Sequence, residues 1–310
     1  MTRLRAAIQD YLALRRSLGF TLRRTESGLR DFAAFLEAQG ATHITTALAV
    51  AWATQHAHHQ PAEWASRLTV ARGFARHWRA TDPRTEVPPW GLLPYRGRRT
   101  QPYLYTAEEI QRLLAAARRL PSVRGLRGWT YACLVGLLAA TGLRRGEALA
   151  LTPSDVDLGE GVLTIRHSKF GKSRLVPLHP STQQVLAQYA AQRAAVLGPV
   201  PTRTFLVSDR GRPLEPSTVH RTFCALSRQT GLRGPADRHG PRLHDFRHRF
   251  AVETLLQWYR AGDDVERRLP VLSTYLGHAH VTDTYWYLSA CPELMGLARE
   301  RLDRRWEAWP

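Results

Sequence analysis

Apolar residues recur at helical spacing through the first 81 residues of the chain. The clearest pattern starts at Pro61, and its apolar positions are Trp64, Leu68, Ala71, Ala75 and Trp78. Apolar residues three and four positions apart also predict earlier helices around residues 4–12 and 29–36, the second ending at Gly40. The stretch 46–59 is predicted as another helix. This spacing predicts an all-helical N-terminal domain over residues 1–81.

Proline and glycine interrupt the helical pattern between residues 82 and 103. Five prolines and two glycines fall in this stretch, together with the basic run Arg96, Arg98 and Arg99. Such a composition is typical of a linker between domains. We therefore expect a second domain over residues 104–310.

The second domain begins with Thr106-Ala107-Glu108-Glu109, a helix capping box. A helix over residues 127–140 ends at Gly142, and two strands are predicted at Val162–Arg166 and Arg174–Leu178. The strands form a hairpin with Lys169 and Lys172 at its tip, and residues 205–207 are predicted as a further short strand. Further helices are predicted over residues 181–196, 216–230, 243–259, 267–276, 281–288 and 293–307. The predicted fold class is mainly α, with a helical N-terminal domain and a mixed α/β C-terminal domain that holds a small antiparallel sheet.

Composition points to a polyanionic partner. Lys and Arg number 44 against 26 Asp and Glu, so the formal net charge is +18. Nucleic acid is the first partner to consider for such a charge, and a solvated basic surface is the alternative. A hydrophobic content of 44% excludes a wholly disordered chain. No run of 18 uncharged apolar residues occurs, so no membrane span is predicted.

Several basic residues are candidate contacts to a phosphate backbone. They lie on the polar face of the helix from Pro61, in the linker and in the hairpin. These candidates are Arg67, Arg72, Arg76, Arg79, Arg96, Arg98, Arg99, Lys172 and Arg174.

Lysine is almost absent from the chain. Of the 44 basic residues, only Lys169 and Lys172 are lysine, which leaves 42 arginines. Because lysine can give up a proton and arginine in practice cannot, these two positions are candidates for chemistry that needs an ammonium group. Chance clustering in a surface turn is the alternative. The three cysteines are scattered and match neither a disulfide framework nor a zinc knuckle, so we expect a reducing compartment.

Four segments at the ends of predicted elements carry the candidate chemistry. They are residues 141–149, the hairpin tip 168–173, residues 244–248 and residues 276–287. In chain order they supply Arg, Lys, His, Arg, His and Tyr. Singly each is weak, because helix caps and solvated faces often contain such residues.

Together these four segments resemble the tyrosine recombinases, also called phage-integrase-type site-specific recombinases. The resemblance covers about residues 104–290 by motif, and the N-terminal helices are similar to the core-binding domain of that family. It implies strand cutting and rejoining through a covalent 3′-phosphotyrosyl intermediate. It also implies a homotetramer on duplex DNA with a specific recombination site, in the bacterial cytoplasm at the nucleoid.

The resemblance carries catalytic roles onto six residues of this chain. These are Arg144, Lys169, His244, Arg247, His278 and Tyr287. Glu147 matches an acidic residue that supports the first arginine. The two arginines would neutralise the phosphate, Lys169 would protonate the leaving oxygen, and His244 is a candidate acid or base near the nucleophile. His278 would hydrogen-bond the phosphate, and Tyr285 competes with Tyr287 for the role of nucleophile.

Three alternatives remain at this point. His244 and His248 are four residues apart on a predicted helix and could bind zinc with His278, although this leaves the arginines without a role. We therefore expect no metal and no cofactor. A DNA-binding protein without catalysis and a type IB topoisomerase-like enzyme are the other two.

Overall fold

A computed structural model describes residues 2–93, 101–166, 173–198, 201–237, 239–289 and 291–307. The chain divides into two compact units, Met1–Thr100 and Gln101–Pro310. Along the described parts of the chain, no helix combines the length and apolar character that crossing a bilayer requires.

Four helices build the first unit around one apolar core. They are α1 (Thr2–Ser17), α2 (Arg23–Ala38), α3 (Thr46–Thr54) and α4 (Pro61–Trp78). Leu12, Phe32, Trp52 and Phe74 are fully buried between them. The helix predicted over residues 46–59 is too long, because a turn in which the backbone N–H of His59 donates to the carbonyl of His56 follows α3. The indole of Trp64 donates to the same carbonyl.

The first half of the predicted linker belongs to this unit. The backbone N–H of Glu86 donates to the carbonyl of Ile44, and the Glu86 carboxylate accepts from the backbone of Thr46 at 2.7 Å. Val87 and Leu93 pack against the helical core. The prediction that a linker begins at residue 82 is therefore wrong. The prolines end the helical pattern, but the chain that follows still packs against the helices.

The second unit is mostly helical with a small sheet. Its helices are α5 (Ala107–Arg118), α6 (Arg127–Thr141), α7 (Arg145–Ala150), α8 (Pro180–Leu197), α9 (Pro216–Gln229), α10 (Asp245–Arg260), α11 (Val265–Leu276), α12 (Thr282–Tyr285) and α13 (Pro292–Glu307). Its strands are β1 (Val156–Asp157), β2 (Val162–Ile165) and β3 (Arg174–Pro177). A 3₁₀ turn at Trp286–Ser289 follows α12 directly.

The sheet is antiparallel with the order β1-β2-β3. Leu163 pairs with Val176 and Ile165 with Arg174, which confirms the predicted hairpin. Strand β1 has only two residues, which is too short for the alternation of apolar and polar residues by which a strand is predicted from sequence. The strand predicted at residues 205–207 is wrong. Within the described residues this segment forms a single bridge from Val207 to Pro213, and a short buried apolar run cannot by itself distinguish strand from loop.

Helix α6 is the centre of the core of the second unit. It is buried on nearly every side, and α5, α8 and α10 pack against it. It ends at Gly142, which has φ +60°. A Cβ there would lie 2.7 Å from the ring of Phe250 on α10, so only glycine fits. The turn places Arg144 directly before α7, facing the end of α11.

Candidate active site

Three consecutive carbonyls at the C-terminal end of α11 each hold one arginine. The carbonyl of Tyr275 accepts from Nε of Arg174 at 2.7 Å. The next carbonyl, of Leu276, accepts from Arg247 at 2.6 Å, and that of Gly277 accepts from Arg144 at 2.9 Å. The last carbonyls of a helix lack intrahelical partners and carry its negative dipole end, so they attract guanidinium groups. This helix end gathers residues that are distant in sequence.

Glycine is required at two positions in this cluster. Gly277 has φ +68°, and a Cβ there would lie 2.7 Å from Nη1 of Arg174. Gly142, which ends α6, offers its carbonyl to Arg247 at 2.9 Å. The same two glycines thus end helices and bind the arginines, since their carbonyls accept from Arg144 and Arg247.

Glu147 lies between two of the arginines. Its carboxylate accepts from Nη1 of Arg144 at 2.7 Å and from Nη1 and Nη2 of Arg174 at 3.1 and 2.9 Å. Burial raises the pKa of Glu147, but the hydrogen bonds from these arginines outweigh burial and bring the pKa to about 2. This pairing with Arg144 is the one that the family resemblance implies.

The prediction that Arg174 contacts DNA is wrong. Its guanidinium is nearly buried and binds the Glu147 carboxylate and the Tyr275 carbonyl. Arg174 therefore supports Arg144 through Glu147, the carboxylate that both arginines share. Cross-strand partners point to the same face of a sheet, and the partner of Arg174 in the sheet is Ile165, which is apolar and buried.

Arg247 is 1% exposed at the base of the cluster. Burial lowers its pKa to about 10, so the guanidinium stays charged at neutral pH. Arg144 lies nearer the surface, with about a quarter of its side chain exposed. The two arginines of the predicted site therefore share one end of α11, one deep and one accessible.

Tyr287 packs onto this cluster and Tyr285 does not. Tyr287 is 3% exposed and Tyr285 is 52% exposed. Two positions apart on a helical turn, the side chains point to different sides. The ring of His278 stacks on Tyr287 at a centroid distance of 6.0 Å, and the neighbouring Arg247 acts to lower the pKa of the phenol. Burial nevertheless raises the pKa of Tyr287, so the phenol is protonated at neutral pH.

The surroundings of the site lower the pKa of its histidines. Burial, followed by the charge of Arg247, lowers the pKa of His278 to about 4. Its Nδ1 is hydrogen-bonded to the hydroxyl of Thr284 at 2.7 Å. His244 precedes α10 at the surface of the site, and desolvation by its neighbours, followed by Arg247, lowers its pKa. The ring from α10 that contacts Tyr287 belongs to His248, at 5.5 Å.

The candidate arginines on α4, with Arg79 directly after it, divide into two sets. The prediction that Arg72 contacts DNA is wrong, because it is 5% exposed and donates to the carbonyls of Pro88 and Pro89. Arg67 is bonded to Asp31 and to the carbonyl of Trp52. Arg76 and Arg79 are exposed. Helical spacing predicts that all four arginines share one polar face. It cannot show that the chain at Pro88 and Pro89 covers Arg72.

Some candidates lie outside the described residues. They are Lys169, Lys172, Arg96, Arg98 and Arg99. In the part that is described, no three or more His, Cys, Asp or Glu side chains are grouped so that they could hold a metal ion.

Comparisons with known proteins agree with this geometry. Residues 104–293 match the phage integrase family. The sequence is 56% identical over 311 residues to the putative integrase/recombinase y4rB of Sinorhizobium fredii (strain NBRC 101917 / NGR234), which covers 99% of each chain.

Two solved structures share the fold. The Tn1549 transposon integrase in complex with transposon right end DNA superposes with a TM-score of 0.68 at 17% identity, covering 96% of this chain and 98% of that one. A lambda integrase tetramer bound to a Holliday junction gives 0.58 at 20% identity, covering 90% and 78%. From the family match and its 56% identical relative, the chain belongs to the phage integrase family, the tyrosine recombinases.

Proposed function

We propose that this protein is a site-specific DNA recombinase that cuts duplex DNA and rejoins it through a phosphotyrosine bond at Tyr287. One observation carries the proposal: the end of α11 gathers Arg144 and Arg247 beside the buried phenol of Tyr287. A nucleophile beside two guanidinium groups suits attack on a phosphodiester anion.

The arginines supply the charge that the reaction needs. Attack at phosphorus concentrates negative charge on the nonbridging oxygens, and two guanidinium groups can neutralise it by hydrogen bonds. Arg144 and Arg247 are already anchored through carbonyls and Glu147, so little reorganisation is needed at the moment of reaction. We propose that this arrangement acts without a metal ion or cofactor.

Tyr287 must move when DNA binds. Arg247 and Tyr287 are both buried and lie beside each other, so a phosphate can reach this guanidinium only if the phenol moves aside. The oxygen then attacks phosphorus and gives up its proton, for which His244 is the candidate base; the bond to the 5′ oxygen breaks, and the leaving oxygen takes a proton. We assign that proton to Lys169, and a hydrogen bond to the phosphate to His278.

The partners follow from family membership. We propose that four copies assemble on two recombination sites, as the lambda integrase tetramer does on a Holliday junction. We place this activity in the bacterial cytoplasm at the nucleoid, where its DNA substrate is.

The test is trapping of covalent protein on a nicked duplex that loses its cleaved end. Tyr287→Phe removes the attacking oxygen and keeps the ring, so we expect DNA binding without a covalent complex. Tyr285→Phe, the matched control on an exposed side chain, should form the complex. A complex that persists in Tyr287→Phe and disappears in Tyr285→Phe overturns the assignment, and persistence in both places the nucleophile elsewhere.

A further inference from the structure

His248 is a buried histidine beside the nucleophile to which the proposed reaction gives no role. It follows Arg247 on α10 and is 9% exposed. Its ring meets the rings of Trp286 and Tyr287 edge to face, at centroid distances of 4.9 and 5.5 Å. It also contacts the ring of His244 at 4.8 Å. His248 therefore joins α10 to the turn that carries the nucleophile.

The Nδ1 atom of His248 is buried and has no hydrogen-bond partner within the described part of the chain. An unpaired buried polar atom costs free energy that a phenyl ring would not. Burial, followed by the neighbouring His244, lowers the pKa of His248 to about 4. The imidazole is therefore neutral at pH 7, with one nitrogen able to accept a hydrogen bond.

Tyr287 needs an acceptor when it attacks DNA. Its pKa is raised by burial, so its oxygen carries a hydrogen at neutral pH. Once a phosphate has replaced the phenol at Arg247, that hydrogen must point away from phosphorus so that a lone pair faces it. Nδ1 of His278, whose ring also contacts Tyr287, is already bonded to Thr284. Among the described residues, Nδ1 of His248 is a buried ring nitrogen beside Tyr287 that has no hydrogen-bond partner.

We propose that Nδ1 of His248 accepts the hydrogen bond of the Tyr287 hydroxyl in the DNA-bound state and thereby aims the phenolic oxygen at the scissile phosphate. The inference rests on the proposed function and adds a catalytic residue to it. The two rings are already in contact, with centroids 5.5 Å apart, and the proposed bond requires a rotation that brings Nδ1 and the phenolic oxygen together.

Two substitutions separate this role from simple packing. His248→Phe keeps an aromatic ring against Trp286 and Tyr287 and removes both nitrogens. His248→Asn loses the ring but keeps a polar atom close to the position of Nδ1. The measurement is the single-turnover rate of covalent complex formation on the nicked duplex, with DNA affinity and melting temperature recorded for each variant.

We expect His248→Phe to melt no lower than the wild type, to bind DNA equally well and to cleave about 10²-fold more slowly, the effect of a misplaced reacting group. His248→Asn should recover part of that rate although it packs less well. Wild-type cleavage by His248→Phe, or slower cleavage by the Asn variant than by the Phe variant, overturns the inference. Neither result affects the proposed function, which fails only if Tyr287→Phe still forms the covalent complex.

Discussion

At the level of single residues, the charge balance of the site depends on Glu147, which pairs with two arginines. Glu147 is one nearly buried carboxylate between two arginines, and it orients Arg144, the guanidinium that is accessible to substrate. Removing the carboxylate would leave the guanidinium groups of Arg144 and Arg174 charged and without their ion-pair partner in a site with little water. The free-energy cost of such unpaired charges exceeds the net stability that the ion pair contributes. Glu147 should therefore affect both folding and catalysis.

Glu147→Gln should destabilise the protein by about 3 kcal/mol at pH 7, because a pKa lowered to about 2 corresponds to that much linkage energy. Since the folded pKa lies below the unfolded one, this stability is present above about pH 4 and is lost as the pH falls towards 2. Chemical denaturation across this range measures it.

The matched control for Glu147 is Glu293→Gln, because the ion pair of Glu293 with Arg260 is exposed on both sides. We expect almost no change in the unfolding midpoint for this variant. Equal destabilisation by the two substitutions would contradict a special role for Glu147.

At the scale of elements, helix ends build the site. The C-terminal carbonyls of α11 and the carbonyl that follows α6 together hold Arg144, Arg174 and Arg247. Each end requires a glycine, because the backbone turns into the left-handed region where a side chain would meet a neighbouring element. The helix ends therefore place the guanidinium groups, and the strand β3 adds the arginine that supports them.

Gly142→Ala should be tested against Gly262→Ala. Both glycines have positive φ after a helix, but only at Gly142 would a Cβ clash, with Phe250 at 2.7 Å. The left-handed conformation should cost each variant about 1–2 kcal/mol, and Gly142→Ala should lose further stability and covalent complex formation, since its carbonyl holds Arg247. Equal cleavage by the two variants would show that the clash is relieved without moving that carbonyl.

At the scale of the whole molecule, a formal charge of +18 should govern DNA affinity. Each phosphate that the protein neutralises adds about −0.9 to the slope of log K against log salt. Not every arginine contributes, since Arg72 is buried under the chain from Pro88 to Trp90 while Arg76 is exposed on the same helix.

Arg76→Ala should therefore reduce the salt slope by about one unit if Arg76 meets a phosphate. Arg72→Ala should instead lower the melting temperature and leave the slope unchanged, because its guanidinium binds backbone carbonyls. Binding titrations at several salt concentrations decide between them. A smaller slope for Arg72→Ala in a fully folded protein would refute the structural role.

Patterns within the sequence are sufficient to predict most of the helices, the hairpin strands and the family. The spacing of apolar residues predicts α1, α2 and α4 because one face of each helix is buried. Apolar residues that repeat every three or four positions are enough to indicate such a face. The order of Arg144, His244, Arg247, His278 and Tyr287 indicates the family because few functions need these types together. The choice of Tyr287 over Tyr285 as nucleophile also came from spacing, and burial of only one of the two rings supports it.

Which arginines are buried, and which side chains the helix ends bind, follows from the folding of distant segments against one another. Arg72 and Arg174 look like surface cations in sequence, yet one is covered by Pro88 and Pro89 and the other is paired with Glu147. The role of the Tyr275, Leu276 and Gly277 carbonyls is invisible in sequence, because every residue has a carbonyl. Burial, and the partner that a polar atom finds, depend on segments distant along the chain, and a local pattern contains no information about them.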